Sequence, residues 1–142
     1  MSIEIQGVDK LINRLKDYGT TVELQTAQEV QATAYDVVND MVRDAPVDTG
    51  NLRQGIVSEP TESNLTWALH SRADYSAFVE FDTAPHVIEA TNAKVLTNGK
   101  SFFGKSINHP GTHAQPFFFN NVEMGKVTLL RRLVNVLNSV KK

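Results

Sequence analysis

The chain has 142 residues, of which 41% are hydrophobic and 21% are charged, and its formal net charge is −2. These values are typical of one globular domain, residues 1–142, that buries its own core. The charge argues against a dedicated nucleic-acid-binding protein, and the lack of cysteine excludes a disulfide framework and Cys-based zinc sites. The sequence shows no signal peptide and no apolar run near the roughly 20 residues of a membrane span. We therefore expect synthesis in a reducing cytoplasm and no membrane contact.

The charges are distributed unevenly along the chain. Residues 1–60 contain ten acidic and five basic residues, residues 61–110 contain five and four, and residues 111–142 contain one and five. Two interpretations are open. The acidic and basic parts pack against each other within one subunit, which we favour, or the acidic face of one subunit meets the basic face of its neighbour.

Two helices are predicted in the N-terminal half, after a short alternating strand over residues 3–5. Apolar residues at positions 8, 11, 12 and 15 predict a short amphipathic helix that ends at Gly19. Thr20 and Glu23 have capping-box spacing, which predicts the start of a long helix. That helix should end at Pro46, because the residue before a proline is displaced from the helical region. Its apolar stripe is formed by Ala27, Val30, Ala34, Val37, Val38, Met41 and Ala45.

The segment 45–53 predicts a helix end, a turn and a new helix start. Asp48 or Thr49 is placed to cap the new short helix, Gly50 permits tight packing, and Gly55 ends the helix. The simplest interpretation is architectural, and a contact surface is the alternative. The residues of this structural motif are Pro46, Asp48, Thr49, Gly50, Leu52 and Arg53.

Short strands and turns are predicted in the middle of the chain. A strand begins at residue 56 and is interrupted at Pro60, the polar run 61–64 is typical of a hairpin loop, and residues 65–70 alternate as the second strand. Residues 75–81 fit either a strand or one helical turn. Further predictions are a strand over 86–90, a hairpin at Asn98-Gly99 between 95–96 and 102–103, and a loop over 108–115.

A C-terminal helix over about 118–140 completes the predicted elements. Its apolar stripe is formed by Val122, Val127, Leu130, Leu133, Val134 and Leu137. The predicted fold is therefore an α+β single domain, in which an antiparallel sheet packs against a long helix of the N-terminal half and an amphipathic helix ends the chain.

Histidines and carboxylates raise the alternative of a metal- or carboxylate-dependent enzyme. His109 and His113 are four residues apart, with His86 and Glu80 upstream, but the Pro-Gly pair between the two histidines prevents a shared helix face. Glu80 and Asp82 would share one face of a strand, where a solvated charge pair is the simpler interpretation. There is no Gly-x-Ser-x-Gly motif and no cysteine nucleophile. We therefore predict no catalytic residue, no metal site and no cofactor.

The phenylalanines are concentrated late in the chain, with five of the seven at positions 102, 103, 117, 118 and 119. Adjacent side chains diverge, so at least one ring of 117–119 should point outward. Such a ring is an aggregation risk in a monomer and an anchor in an oligomer. Core packing of most of the rings is the alternative. The predicted assembly interface contains Phe102, Phe103, His109, Phe117, Phe118 and Phe119.

Several segments together resemble the small neck or tail-component family of lambda-like long-tailed bacteriophages and prophages. The segments are APVDTGNLR at 45–53, YSAFVEF at 75–81, HVI at 86–88, HPGT at 109–112 and QPF at 115–117. Where Asp82 stands, the family pattern usually has glycine. If that position requires a positive φ, aspartate tolerates it better than most residues.

The resemblance implies a structural protein of the virion at the head–tail junction. It would join or complete the tail as a homo-oligomeric ring around the DNA channel, beside phage connector and tail proteins, without catalysis or sequence-specific DNA binding. The loops over 83–94 and 104–116 could reach neighbouring subunits and order on assembly. A prophage protein that binds a host partner is the remaining alternative.

Overall fold

A computed structural model of the chain describes residues 8–91, 94–97 and 100–140, so the strand predicted at residues 3–5 lies outside the described residues. Helices and strands alternate along the chain in a mixed α+β order, which confirms the predicted fold class. The helices are α1 (Val8–Asp44), α2 (Asn51–Gln54), α3 (Ser76–Phe81) and α4 (Phe119–Val140). The strands are β1 (Ile56–Pro60), β2 (Trp67–Ser71), β3 (His86–Glu89), β4 (Leu96–Thr97), β5 (Phe102–Gly104) and β6 (Ser106–His109).

Helix α1 is continuous through Gly19, so the predicted end there and the capping box at Thr20 are wrong. The hydroxyls of Thr20 and Thr21 instead donate to the carbonyl oxygens of Lys16 and Asp17, at 3.1 and 2.8 Å. Hydrogen bonds to the preceding turn are compatible with a helix interior. A single exposed glycine costs only about 1 kcal/mol relative to alanine, which is too little to break a long helix.

The strands form three two-stranded antiparallel ribbons among the described residues. In the first, β1 pairs with β2 around the predicted hairpin loop, and both strands pack against α1. The second pairs β3 with β6, a strand that the predicted loop over 108–115 did not anticipate. The third pairs β4 with β5, as expected for the hairpin, although its turn residues 98 and 99 lie outside the described part of the chain.

The core lies where α1, α2, β1 and the start of α4 meet. Met41 and Phe117 are its largest fully buried side chains, and they pack in one cluster with Leu52 and Ile56. Val79 of α3 packs against this cluster as well. The ambiguous segment 75–81 is therefore a helix that turns one apolar side chain inward, whereas Phe78 remains exposed.

Helix α4 runs antiparallel to α1 and is fixed to it by polar contacts at its start and near its middle. Asn121 donates to the Asp44 carboxylate at 3.0 Å. Further along, Arg132 donates to the carboxylate of Asp36 at 2.7 Å and forms a longer ion pair with Glu29. These contacts join basic and acidic parts of one subunit, which supports the favoured interpretation of the uneven charge distribution.

The hydrogen bonds at the α1 terminus shift the ionisation of Asp44. Two side-chain hydrogen bonds hold the pKa of the Asp44 carboxyl below its ordinary value. The bond from Arg43 has the larger effect, and the bond from Asn121 has the next largest. The carboxylate therefore stays charged at neutral pH and remains an acceptor for Asn121.

The predicted apolar stripe of α4 is only partly the face that packs against α1. Asn121, Gly125 and Val136 are the buried positions of the helix, and Val122 and Leu133 are half-buried. The other four members of the predicted stripe are exposed, namely Val127, Leu130, Val134 and Leu137. The face is shifted because Gly125 allows a close approach to Val37 of α1, and because Arg132 pairs with acidic residues of α1.

Replacing Gly125 with alanine is expected to destabilise the protein by about 1–2 kcal/mol, although alanine is the better helix former. An added Cβ would collide with the Val37 side chain of α1. The matched control is Gly19→Ala, where the added Cβ meets nothing within 4 Å and a gain of about 0.5–1 kcal/mol is expected. Urea unfolding measures both changes. Stabilisation by both substitutions would contradict the close approach of α1 and α4.

Candidate assembly interface

The motif over 45–53 redirects the chain at the end of α1. Helix α1 ends at Asp44, two residues before Pro46, as the proline predicts. Gly50 is the N-cap of α2 with φ of 85°. That left-handed conformation is one that glycine adopts without steric cost. The N-cap position is therefore Gly50 and not the predicted Asp48 or Thr49, although the Thr49 hydroxyl accepts a long hydrogen bond from the Asn51 N–H at the start of the helix, at 3.5 Å.

The two remaining motif residues fasten this turn to α1. The Leu52 side chain is buried in the core cluster. Arg53 donates from Nε and Nη2 to the carbonyl oxygen of Ala45, at 3.0 and 2.8 Å, and from Nη2 to that of Arg43 at 3.1 Å. A guanidinium that binds unpaired carbonyls at a helix C-terminus also complements the negative end of the helix dipole. These contacts support the architectural interpretation of the motif.

Glu80 joins α3 to the start of α4, and we call this contact the Glu80 junction. The carboxylate is buried and accepts hydrogen bonds from the backbone N–H groups of Phe117, Phe118 and Phe119, at 2.8, 2.9 and 3.0 Å. These N–H groups lead into α4 and have no partner within the helix. Glu80 therefore caps α4 from a distant part of the chain. The predicted solvated pair with Asp82 is wrong, because Glu80 lies in a helix and faces inward.

The segments quoted for the family resemblance are in mutual contact around this junction. The backbone of Thr83 exchanges hydrogen bonds with that of Thr112, at 3.2 and 3.1 Å, and β3 pairs with β6 immediately beyond. Gln115 N–H donates to the Val79 carbonyl oxygen at 2.8 Å. Gly111 has φ of 84°, and an added Cβ would collide with the Thr83 carbonyl oxygen. Segments 75–81, 86–88 and 109–117 thus form one structural unit.

The six residues predicted for assembly occupy three different environments. Phe117 is fully buried, so it is a core residue and offers no contact surface in this subunit. Phe118 is half-buried and packs against the core, and His109 is also half-buried. The exposed members are Phe119, Phe103 and Phe102, of which Phe102 is 82% exposed.

An aromatic surface surrounds the Glu80 junction. The rings of Phe81 and Phe119 lie 5.4 Å apart, and the ring of Phe118 lies 5.5 Å from that of Phe119. Phe81 and Phe119 are 61% and 51% exposed. Together with Phe117, these rings line an open cavity of about 270 Å³. Phe81 was not among the predicted interface residues, because the helix α3 that places it was ambiguous in sequence.

The histidines do not come together as a metal site in the described residues. His86 and His109 are cross-strand partners with ring centroids 5.1 Å apart. His86 Nδ1 contacts the Ala84 carbonyl oxygen, and His109 Nδ1 accepts from the Gly111 N–H at 3.1 Å. No group of three or more potential ligands is found within the described ranges. The two rings therefore make local loop contacts.

The residue after α3, Asp82, has a backbone conformation that favours glycine. Asp82 has φ of 81° and ψ of 172°, and it is the only described residue other than glycine with positive φ. This region is occupied almost exclusively by glycine, and other residues pay about 1–3 kcal/mol there. Position 82 therefore has the positive φ on which the expected tolerance of aspartate depended, but its ψ places it in a region that favours glycine more strongly than the left-handed helical region does.

Replacing Asp82 with glycine is expected to stabilise the protein by about 1 kcal/mol, because the relief of backbone strain exceeds the entropy that glycine loses on folding. The control is Asp82→Ala, which removes the carboxylate but leaves the strain and should give no gain. Chemical unfolding of the three proteins measures the difference. Equal gains from both substitutions would assign the effect to the carboxylate instead of the backbone.

Two large exposed apolar surfaces were not anticipated. One is formed by Leu11, Ile12 and Leu15 near the start of α1, and the other by the four exposed residues of the α4 stripe. Their helical spacing was visible in the sequence, but spacing alone does not reveal whether a second element covers a stripe.

Among the described helices, none is long and apolar enough to cross a lipid bilayer.

Comparison with known proteins identifies the family. Residues 9–81, just over half of the chain, match the family described as "Bacteriophage HK97-gp10, putative tail-component". The match includes α1, the motif over 45–53, the first hairpin and Glu80, whereas the 109–117 segment lies beyond it. No curated protein and no solved structure matched the chain. The chain belongs to the HK97-gp10-like family of bacteriophage tail components.

Proposed function

We propose that this tail-component protein assembles into a homo-oligomeric ring at the head–tail junction of the virion, where it joins or completes the tail. The ring surrounds the DNA channel and contacts the neighbouring connector and tail proteins. DNA passes through it without sequence-specific recognition, and the protein has no catalytic role. Family membership supports a structural tail protein, and the exposed surface supports assembly.

The observation that carries the proposal is the amount of apolar surface that the subunit leaves exposed. Large apolar side chains that are exposed outnumber the buried hydrophobic residues among the described positions. They occur on α1, on α4, around Phe81 and Phe119, and on β5 at Phe102. Monomeric proteins rarely expose contiguous apolar patches of this kind, whereas subunits of an assembly cover them with neighbours.

Assembly can be tested with the purified protein and with the phage. Light scattering and native mass spectrometry over a concentration series should show a closed oligomer of defined mass, and negative-stain electron microscopy should show rings. Mass spectrometry of purified virions should detect the protein, and deletion of its gene should leave filled heads and free tails. A strict monomer at the highest soluble concentration, together with absence from virions, would overturn the proposal.

A further inference from the structure

The first part of α1, residues 8–19, forms an arm that extends beyond the other described residues of the subunit. Every side chain described between residues 9 and 21 is exposed. Contacts of Asn121 with Asp44 and of Arg132 with Glu29 show that α4 runs back along α1. At that register the end of α4 lies beside the residues that follow the arm. With a rise of 1.5 Å per residue, the arm continues for about 20 Å.

The apolar face of the arm continues the face of α1 that forms the core. At 100° per residue, Ile12 and Leu15 point within about 40° of the direction of Val37, which is buried in the core. Leu15 is 61% exposed. A helix of this length is marginal in water without packing. The arm therefore presents a face that α4 covers further along α1 and that the described residues of the same subunit leave uncovered.

Helix α4 carries a second apolar face opposite to the one that packs on α1. This outer stripe consists of Val127, Leu130, Val134 and Leu137, and Leu130 is 65% exposed. The spacing of three, four and three residues is that of a helix-packing seam, with β-branched valines alternating with leucines. The buried positions Gly125 and Val136 lie on the other side of the helix.

We propose that the arm of one copy packs onto the outer stripe of the next copy of this chain. Within the subunit, the inner face of α4 already covers the corresponding face of α1, whereas the outer stripe offers the arm of another copy a second apolar row with helix-packing spacing. Each copy carries one arm and one stripe, and two unlike surfaces give a head-to-tail contact, which forms a ring when the rotation between successive copies closes. This inference rests on the proposed ring and specifies the two surfaces that join its neighbouring subunits.

Mixing two variants that are each blocked on one surface tests the contact. The arm variant carries Leu11→Asp and Leu15→Asp, and the stripe variant carries Leu130→Asp and Val134→Asp. All four side chains are exposed, so circular dichroism should show folded proteins, each monomeric by native mass spectrometry. The mixture should form a one-to-one dimer and nothing larger, because only one intact arm and one intact stripe remain. As controls, Asn13→Asp and Asn135→Asp place the charge on other exposed faces and should leave assembly unchanged.

Disulfide trapping provides a second readout, because the chain contains no cysteine. Mixed Leu15→Cys and Leu130→Cys proteins should form the heterodimer disulfide in preference to either homodimer. Predominant homodimers would show a symmetric contact and overturn the proposal.

The outcomes separate this contact from the ring itself. Rings formed by the wild type and by both surface variants would overturn the arm contact and leave the proposed function intact. A wild type that neither assembles nor enters virions would overturn the proposed function, and the absence of the heterodimer disulfide would then overturn the contact as well.

Discussion

Replacing Glu80 with alanine is expected to lower the free energy of unfolding by about 3–4 kcal/mol. The substitution removes the acceptor of three backbone N–H groups that are buried or half-buried at the start of α4. Those donors have no intrahelical partner, so each carries a desolvation cost once the carboxylate is gone. Because the same contact holds α3 against α4, its loss also loosens the junction around Phe117.

Conservative and distant substitutions separate this capping role from a general effect of charge. Glu80→Gln keeps the shape and one acceptor oxygen but points an amide group at a backbone donor, so an intermediate loss of about 2 kcal/mol is expected. Glu62→Ala, in the exposed hairpin loop, should change stability by less than about 0.5 kcal/mol. Urea unfolding followed by the fluorescence of Trp67 measures all three. A Glu80→Ala protein as stable as Glu62→Ala would show that the carboxylate does not cap α4.

Local signals predicted the architecture of the motif but not the partners of its residues. Proline stopped α1 where expected, and the position of Gly50 fits its turn, because these effects act on the backbone of one or two residues. The contacts of Arg53 with carbonyls eight and ten residues earlier depend on how the turn folds back. The role of Glu80 depends on residues 37 to 39 positions later, a separation that no periodicity can report.

Helix predictions failed where the tertiary environment decides between alternatives of similar energy. Gly19 and Thr20 resembled a helix boundary, but continuity of α1 costs only about 1 kcal/mol at the glycine. On α4, the sequence contains apolar residues on two faces, and the close approach at Gly125 selects the one that packs inward. The other face, which was predicted to be buried, is exposed and forms the outer stripe. It is therefore a candidate assembly surface.

Replacing Phe117 with alanine is expected to destabilise the subunit by about 3–5 kcal/mol. Its ring is fully buried, and it packs in one cluster with Met41, Leu52 and Ile56. Truncation would leave a cavity where α1, β1 and the start of α4 meet, and surrounding side chains of a packed core fill such a cavity only in part. The unfolding midpoint in urea should fall accordingly.

Phe102→Ala is the matched substitution, because the same ring is removed from a site that is 82% exposed. Its effect on subunit stability should stay below about 0.5 kcal/mol, and under the proposed function it should weaken assembly, measured by light scattering. The pair separates core packing from assembly, two roles that the sequence left open for the late phenylalanines. Comparable destabilisation by both substitutions would place Phe102 in a packed environment and remove it from the assembly surface. An intact fold for Phe117→Ala would contradict the core described for the subunit.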